Sequence, residues 1–81
     1  MPEFELWTLP NCPRCEEAKT VLRASGFSYT ERPMNALRRG EILDVDAMAE
    51  AVMSDGMAPL IRLNGRFIKH DHLLAMLTGA E

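Results

Sequence analysis

The feature that most constrains this chain is a pair of cysteines separated by two residues, in the run Cys12-Pro13-Arg14-Cys15. The residues just before it, Glu3 to Leu9, predict a strand that is covered on at least one face. The segment from Pro13 to Ser25 predicts a helix, because Pro suits a first turn and the apolar residues recur on one side. The pair therefore lies where a strand passes into a helix.

This placement favours a reversible disulfide between the two cysteines. Three residues of helix rise about 4.5 Å, and a disulfide joins Cα atoms about 4.4–6.8 Å apart. We expect Cys12 to be the attacking nucleophile, because the free N–H groups at a helix start stabilise a thiolate. Arg14 adds positive charge nearby. Cys15 lies deeper, where desolvation disfavours a thiolate, and is expected to act as the resolving thiol.

The rest of the chain predicts alternating elements in a single domain, residues 1–81. After the first helix we expect a strand over Phe27–Glu31, a helix from Asp44 or Asp46 to Met53, a hairpin of Leu60–Leu63 and Arg66–Lys69 around Asn64-Gly65, and a helix opened by Asp71 or His72. The predicted fold class is α/β, a four-stranded mixed sheet flanked by three helices in the order βαβαββα.

Two details of this prediction concern the helices. The stretch from Met34 to Leu43 is assigned no full element, only a short helical turn through Asn35-Ala36-Leu37. Met48, Met53 and Met76 fall on apolar helix faces and are interpreted as core residues rather than as a binding surface.

Composition excludes several classes of function. The net charge is -3 with acids and bases interspersed, so we expect no nucleic-acid partner. No apolar run has the length needed to span a bilayer, so no membrane association is expected.

The start, Met1 to Glu5, lacks the pattern of a signal peptide, which predicts a cytoplasmic protein. In that compartment a single Cys pair is redox-active or metal-binding rather than a static disulfide. We expect a monomer.

A metal-binding alternative stays open at this point. His70 and His72 could join Cys12 and Cys15 in a Cys2His2 set, which would make the chain a non-enzymatic module that carries or delivers a metal. The His-x-His spacing is tighter than the usual structural zinc pattern. The leading prediction therefore includes no metal site.

Two motifs resemble those of the glutaredoxins. The run from Leu6 to Cys15 is similar to their first strand and active-site turn, and the run from Met57 to Gly65 is similar to the segment where a cis-proline leads into a β-hairpin. The resemblance implies a thioredoxin-like fold, a dithiol–disulfide oxidoreductase that reduces protein disulfides, and no bound cofactor. Its catalytic residues would be Cys12 and Cys15, and its substrate-binding residues Pro13, Arg14, Ala58, Pro59, His70 and Asp71.

The resemblance also implies details of the site and its partners. Ala58-Pro59 would carry a cis peptide bond, and the Ala58 backbone would offer a strand-like edge to the substrate. The substrate would be a protein disulfide, and the electron donor would be glutathione or a thioredoxin reductase.

Three departures from the glutaredoxin pattern bear on the electron donor. Leu9 replaces a common Lys, and Arg14 replaces a common Tyr. Lys69-His70-Asp71-His72 stands where glutaredoxins place a Gly-Gly pair. Side chains there obstruct the close approach of a ligand to the backbone. This argues against a glutathione site, and the chain in this respect resembles glutaredoxin-like redoxins that are reduced directly by a thioredoxin reductase. The sequence itself leaves the electron donor open between the two.

Overall fold

A four-stranded mixed sheet with helices on both faces forms the fold. The computed structural model describes residues 2–79. In chain order its elements are β1 (Phe4–Thr8), α1 (Pro13–Ala24), β2 (Tyr29–Pro33), α2 (Met34–Arg38), α3 (Val45–Met53), β3 (Leu60–Leu63), β4 (Arg66–Ile68) and α4 (His70–Thr78). The strand order is β2-β1-β3-β4. β1 runs parallel to β2, and the other two pairings are antiparallel. The predicted α/β class and thioredoxin-like sheet are confirmed.

The central strand β1 separates two hydrophobic clusters. Because successive side chains of a strand point to opposite faces, Leu6 and Trp7 enter different clusters, and both are fully buried. The first cluster comprises Phe4, Leu6, Ala18, Leu22, Ile61 and Leu73, from the sheet, α1 and α4. The second comprises Trp7, Met34, Leu37, Ala47 and Leu60, from the sheet, α2 and α3. Trp7 is thus a core residue.

The prediction of three helices is wrong, because the stretch after β2 forms a helix of its own. Met34 and Leu37 are one helical turn apart and both are buried against the Trp7 cluster. That packing stabilises α2, a helix of five residues that is too short to persist alone. The short turn expected through Asn35-Ala36-Leu37 lies inside it.

The helix starts agree with the prediction at α3 and differ at α4. Asp44 caps α3, since its Oδ1 accepts a hydrogen bond from the Ala47 N–H at 3.1 Å. The prediction that Asp71 or His72 opens the last helix is wrong: α4 begins at His70, and Lys69 is its N-cap without a side-chain bond. The first turn is closed by the backbone, because the Leu73 N–H donates to the Lys69 carbonyl at 3.0 Å.

The interpretation of three methionines as core residues is also wrong. Met48, Met53 and Met76 are 37%, 80% and 43% exposed. In α3 the core contact is made by Ala47, which is fully buried, and by Ala51. Two small residues one turn apart allow the helix to approach the sheet closely, so its larger apolar side chains face solvent.

An ionic network centred on Arg62 joins two strands of the sheet to the start of α3. The Arg62 guanidinium donates to both oxygens of Glu5, at 2.8 and 2.7 Å, and to Asp44 Oδ2 at 2.8 Å. It also lies 4.8 Å from the centre of the Trp7 ring. These hydrogen bonds from Arg62 are the main reason that the pKa values of Glu5 and Asp44 are lowered. The network ties α3 to β1 and β3.

We predict that Arg62→Met lowers the free energy of unfolding by about 1–3 kcal/mol, because two partly buried carboxylates lose their main donor. Chemical denaturation measures this value.

The pH dependence of the free energy of unfolding follows from the lowered pKa values of Glu5 and Asp44. Carboxyl pKa values that are lower in the folded state give stability that is complete above the unfolded values, about 4, and that is lost as pH falls below them. In Arg62→Met, the free energy of unfolding should therefore decrease less on going from neutral to acidic pH than it does in the natural protein.

The matched control is Arg39→Met. It removes an Arg–Glu41 pair that also has N–O distances of 2.8 and 3.1 Å but is well exposed. A fully exposed pair is screened by solvent and contributes little to stability, so a much smaller loss is expected. Equal losses from the two substitutions would contradict a special role for the Arg62 network.

Candidate active site

The two cysteines occupy the start of α1 as the spacing predicts. Cys12 is the N-cap residue and Cys15 lies one turn into the helix. They form a disulfide with Cα atoms 5.2 Å apart. Cys12 is half-buried, whereas Cys15 has no exposed surface. The Cys15 N–H donates a hydrogen bond to the Cys12 sulfur at 3.1 Å. A backbone donor at a helix start therefore faces one sulfur and not the other.

A groove of about 440 Å³ lies beside this motif. It contains five of the six residues predicted to bind substrate, namely Arg14, Ala58, Pro59, His70 and Asp71. The Ala58–Pro59 peptide bond is cis, as the glutaredoxin resemblance implies. Pro13, the sixth residue, is exposed at the first position of α1 and does not line the groove. The fold thus brings the residue between the cysteines next to the cis-proline loop and the start of α4.

His70 connects α4 to the Cys motif. It is only 5% exposed. Its Nδ1 accepts a hydrogen bond from Arg14 Nε at 3.4 Å, and its Nε2 lies 3.2 Å from Glu17 Oε1 without the alignment of a hydrogen bond. His70 therefore packs against α1 and helps to place the Arg14 side chain at the groove.

The structure does not bring the histidines together as a metal site. His70 is turned onto Arg14 and Glu17, and His72 is exposed. Over residues 2–79, no group of three or more His, Cys, Asp or Glu side chains is arranged to hold a metal ion. No observation favours the metal-carrying alternative.

Lys19, one turn further along α1 than Cys15, is neutralised by its neighbours. Its ammonium lies 2.6 Å from Glu16 and 3.0 Å from Glu31, and hydrogen bonds to these two carboxylates raise its pKa. The Thr8 hydroxyl donates to Glu31 at 2.8 Å, which is the main cause of a lowered pKa for that carboxyl. The charge of Lys19 is thus balanced by carboxylates, and the basic residue within the motif itself is Arg14.

Sequence reasoning missed several residues of this site. Glu17 contacts His70, and Glu50, Met53, Met57 and Lys69 line the groove. One signal was available for Glu17: it follows Arg14 by three residues, so the two share a helix face. The residues of α3 carried no such signal, because their position depends on how that helix packs across the sheet.

The chain combines a thioredoxin-like sheet with a Cys-x-x-Cys pair at the start of its first helix. It is similar to glutaredoxin 3 of Escherichia coli strain K12 and to the same protein of serotypes O6:H1 and O157:H7. Each match is 38% identical over 45 residues, which are 53% of this chain and 54% of the relative. The chain thus spans about half the length of the curated relatives it matches. The resemblance to glutaredoxins is confirmed.

No family model matches the chain. None of the helices within residues 2–79 combines the length and the apolar character needed to cross a membrane.

We predict that iodoacetamide alkylates Cys12 of the reduced protein at least about tenfold faster than Cys15, because the sulfur at the helix start is both accessible and stabilised as a thiolate. Mass spectrometry of peptides after short exposure measures the two rates. Protein unfolded in guanidinium chloride is the control, in which the rates should converge. Equal rates in the folded protein would contradict the proposed asymmetry of the pair.

Proposed function

We propose that this chain is a dithiol–disulfide oxidoreductase that reduces protein disulfides through Cys12 and Cys15. The observation that carries the proposal is the geometry of the pair. The cysteines are close enough to bond without a change in the fold, and only Cys12 combines exposure with a backbone donor. The printed name of the relatives, glutaredoxin 3, supports the same class of activity. The function is proposed for the cytoplasm, where reductants keep such a pair cycling.

The mechanism follows from the positions of the two sulfurs. In the reduced protein the Cys12 thiolate attacks one sulfur of the substrate disulfide. That S–S bond breaks, and the departing thiolate takes a proton from water. The Cys15 thiol then loses its proton and attacks the Cys12 sulfur, which releases the second substrate thiol. Two electrons pass to the substrate, and Cys12 and Cys15 become a disulfide.

The first test separates the roles of the two cysteines. Cys12→Ser should abolish reduction of insulin by dithiothreitol-regenerated protein, because no accessible thiolate remains. Cys15→Ser should form a stable mixed disulfide with the substrate, because the resolving thiol is gone. Turbidity of insulin and non-reducing electrophoresis measure the two outcomes. Turnover by Cys12→Ser at the wild-type rate would disprove the assignment.

The electron donor is a second, finer part of the proposal. Lys69 and His70 stand where the resemblance places a Gly-Gly pair, and both line the groove beside Arg14. The His70 ring is buried there and fills space that glycine would leave open. We therefore propose a thioredoxin reductase, rather than glutathione, as the electron donor.

We predict that oxidised protein is reduced several-fold faster by thioredoxin reductase with NADPH than by millimolar glutathione. Replacing Lys69 and His70 together by Gly should increase reduction by glutathione, since the backbone becomes accessible. His72→Gly, at an exposed position two residues further on, is the matched control. Stopped-flow Trp fluorescence follows the reduction. Fast reduction of the natural protein by glutathione, unchanged by the double substitution, would contradict this choice of donor.

A further inference from the structure

The outer side of α3 presents an apolar surface to solvent. Val45 and Val52, two helical turns apart, are 78% and 77% exposed, and Met53 is 80% exposed. Seven large hydrophobic side chains are exposed in the part of the chain that the structure describes, and six of them lie between residues 43 and 57. Those six are Leu43, Val45, Met48, Val52, Met53 and Met57. A cluster of this kind on a soluble fold marks an interaction surface.

This surface, here named the α3 face, is continuous with the active-site groove. Met53 and Met57 line the groove that contains Arg14 and the cis-proline. On the other side of the helix, Met48 and Val52 line a shallow cleft of about 270 Å³ between α3 and α2. A partner that occupies the groove therefore reaches the α3 face without a break in the contact.

The charged residues of α3 and of the chain directly on either side of it are all acidic, whereas the nearby cations, Arg38 in the cleft and Arg14 and Lys69 in the groove, belong to other segments. Between Gly40 and Arg62 the sequence contains only acidic charged residues: Glu41, Asp44, Asp46, Glu50 and Asp55. Glu41 and Asp44 pair with Arg39 and Arg62. Asp46, Glu50 and Asp55 remain as a negative rim. Two copies of this chain meeting through α3 would oppose acid to acid, which disfavours self-association.

We propose that the α3 face docks the protein disulfide substrate, through a patch on that substrate that is apolar and rimmed by Lys or Arg. This inference rests on the proposed reductase function and adds the chemistry of its substrate. Apolar contact supplies affinity, and the opposite charges orient the substrate so that its disulfide lies along the groove. Flexible Met side chains adapt to such a patch.

The test compares three disulfide substrates, with dithiothreitol as the reductant. One is bis(2-hydroxyethyl) disulfide, which is too small to extend from the groove to the exposed side of α3 at Val45 and Val52. The second is an amphipathic Leu- and Lys-containing peptide with one cysteine blocked as a thionitrobenzoate disulfide. The third is the same peptide with Glu in place of Lys. We expect kcat/KM for the Lys peptide to exceed that for the Glu peptide by about tenfold at low salt, and the difference to shrink at high salt.

The variant Val45→Lys/Val52→Lys tests the surface directly. Both positions are more than three-quarters exposed, so the fold should be retained. We expect kcat/KM for the Lys peptide to fall about tenfold, because the α3 face becomes polar and positively charged and repels the cationic peptide. Reduction of the small disulfide should stay unchanged. Thr20→Lys, an exposed change of similar kind on α1, is the matched control and should leave all three rates unchanged.

The outcomes separate the inference from the function on which it rests. Failure to reduce even the small disulfide would overturn the proposed function. Reduction of all three substrates without preference, or with no effect of the double Lys variant, would overturn the docking proposal alone. Concentration-dependent dimers that the double Lys variant abolishes would assign the α3 face to self-association and would also overturn it. Circular dichroism confirms that each variant is folded.

Discussion

Burial of β1 on both faces is the constraint on which the site depends. Leu6 packs toward α1 and α4, and Trp7 packs toward α2 and α3, so the strand cannot shift without opening two clusters. A one-residue slip would exchange the two side chains between faces. Because β1 is fixed, the chain leaves the sheet at one defined point, and Cys12 follows at the start of α1. The position of Cys12 therefore depends on the hydrophobic packing of β1.

The parts of the fold that could be predicted from the sequence are those with local signals. The strand before the motif, the helix that starts at Pro13, the Asn64-Gly65 hairpin and the cap at Asp44 each depend on neighbouring residues. The Arg62 network could not be predicted, because its carboxylate partners are 57 and 18 residues away. Only the antiparallel pairing of β1 with β3, which sets Glu5 opposite Arg62, brings the partners together.

For α3, the apolar periodicity predicted the helix correctly, but the prediction of which side chains are buried was wrong. The helix has two apolar faces: one with Val45, Met48 and Val52, and another with Ala47 and Ala51. Periodicity favours the bulkier face as the core, because large side chains bury more apolar area. The structure buries the alanine face instead. Trp7, Met34 and Leu37 already fill the space under the sheet, which leaves room for small residues only. The orientation of α3 thus depends on which side chains fill the space beside Trp7, and the apolar pattern of α3 alone does not show this.

His70 links these arguments to function. In the sequence it belonged to two hypotheses, a substrate contact and a metal ligand. The structure gives it a third environment, buried against Arg14 and Glu17 on α1. Nδ1 accepts from Arg14 and is occupied, so a metal ion at that nitrogen would have to displace a cation that is tethered to the motif. The same contact holds the Arg14 side chain beside the groove. A positive charge at that place would favour a thiolate at Cys12 in the proposed reaction.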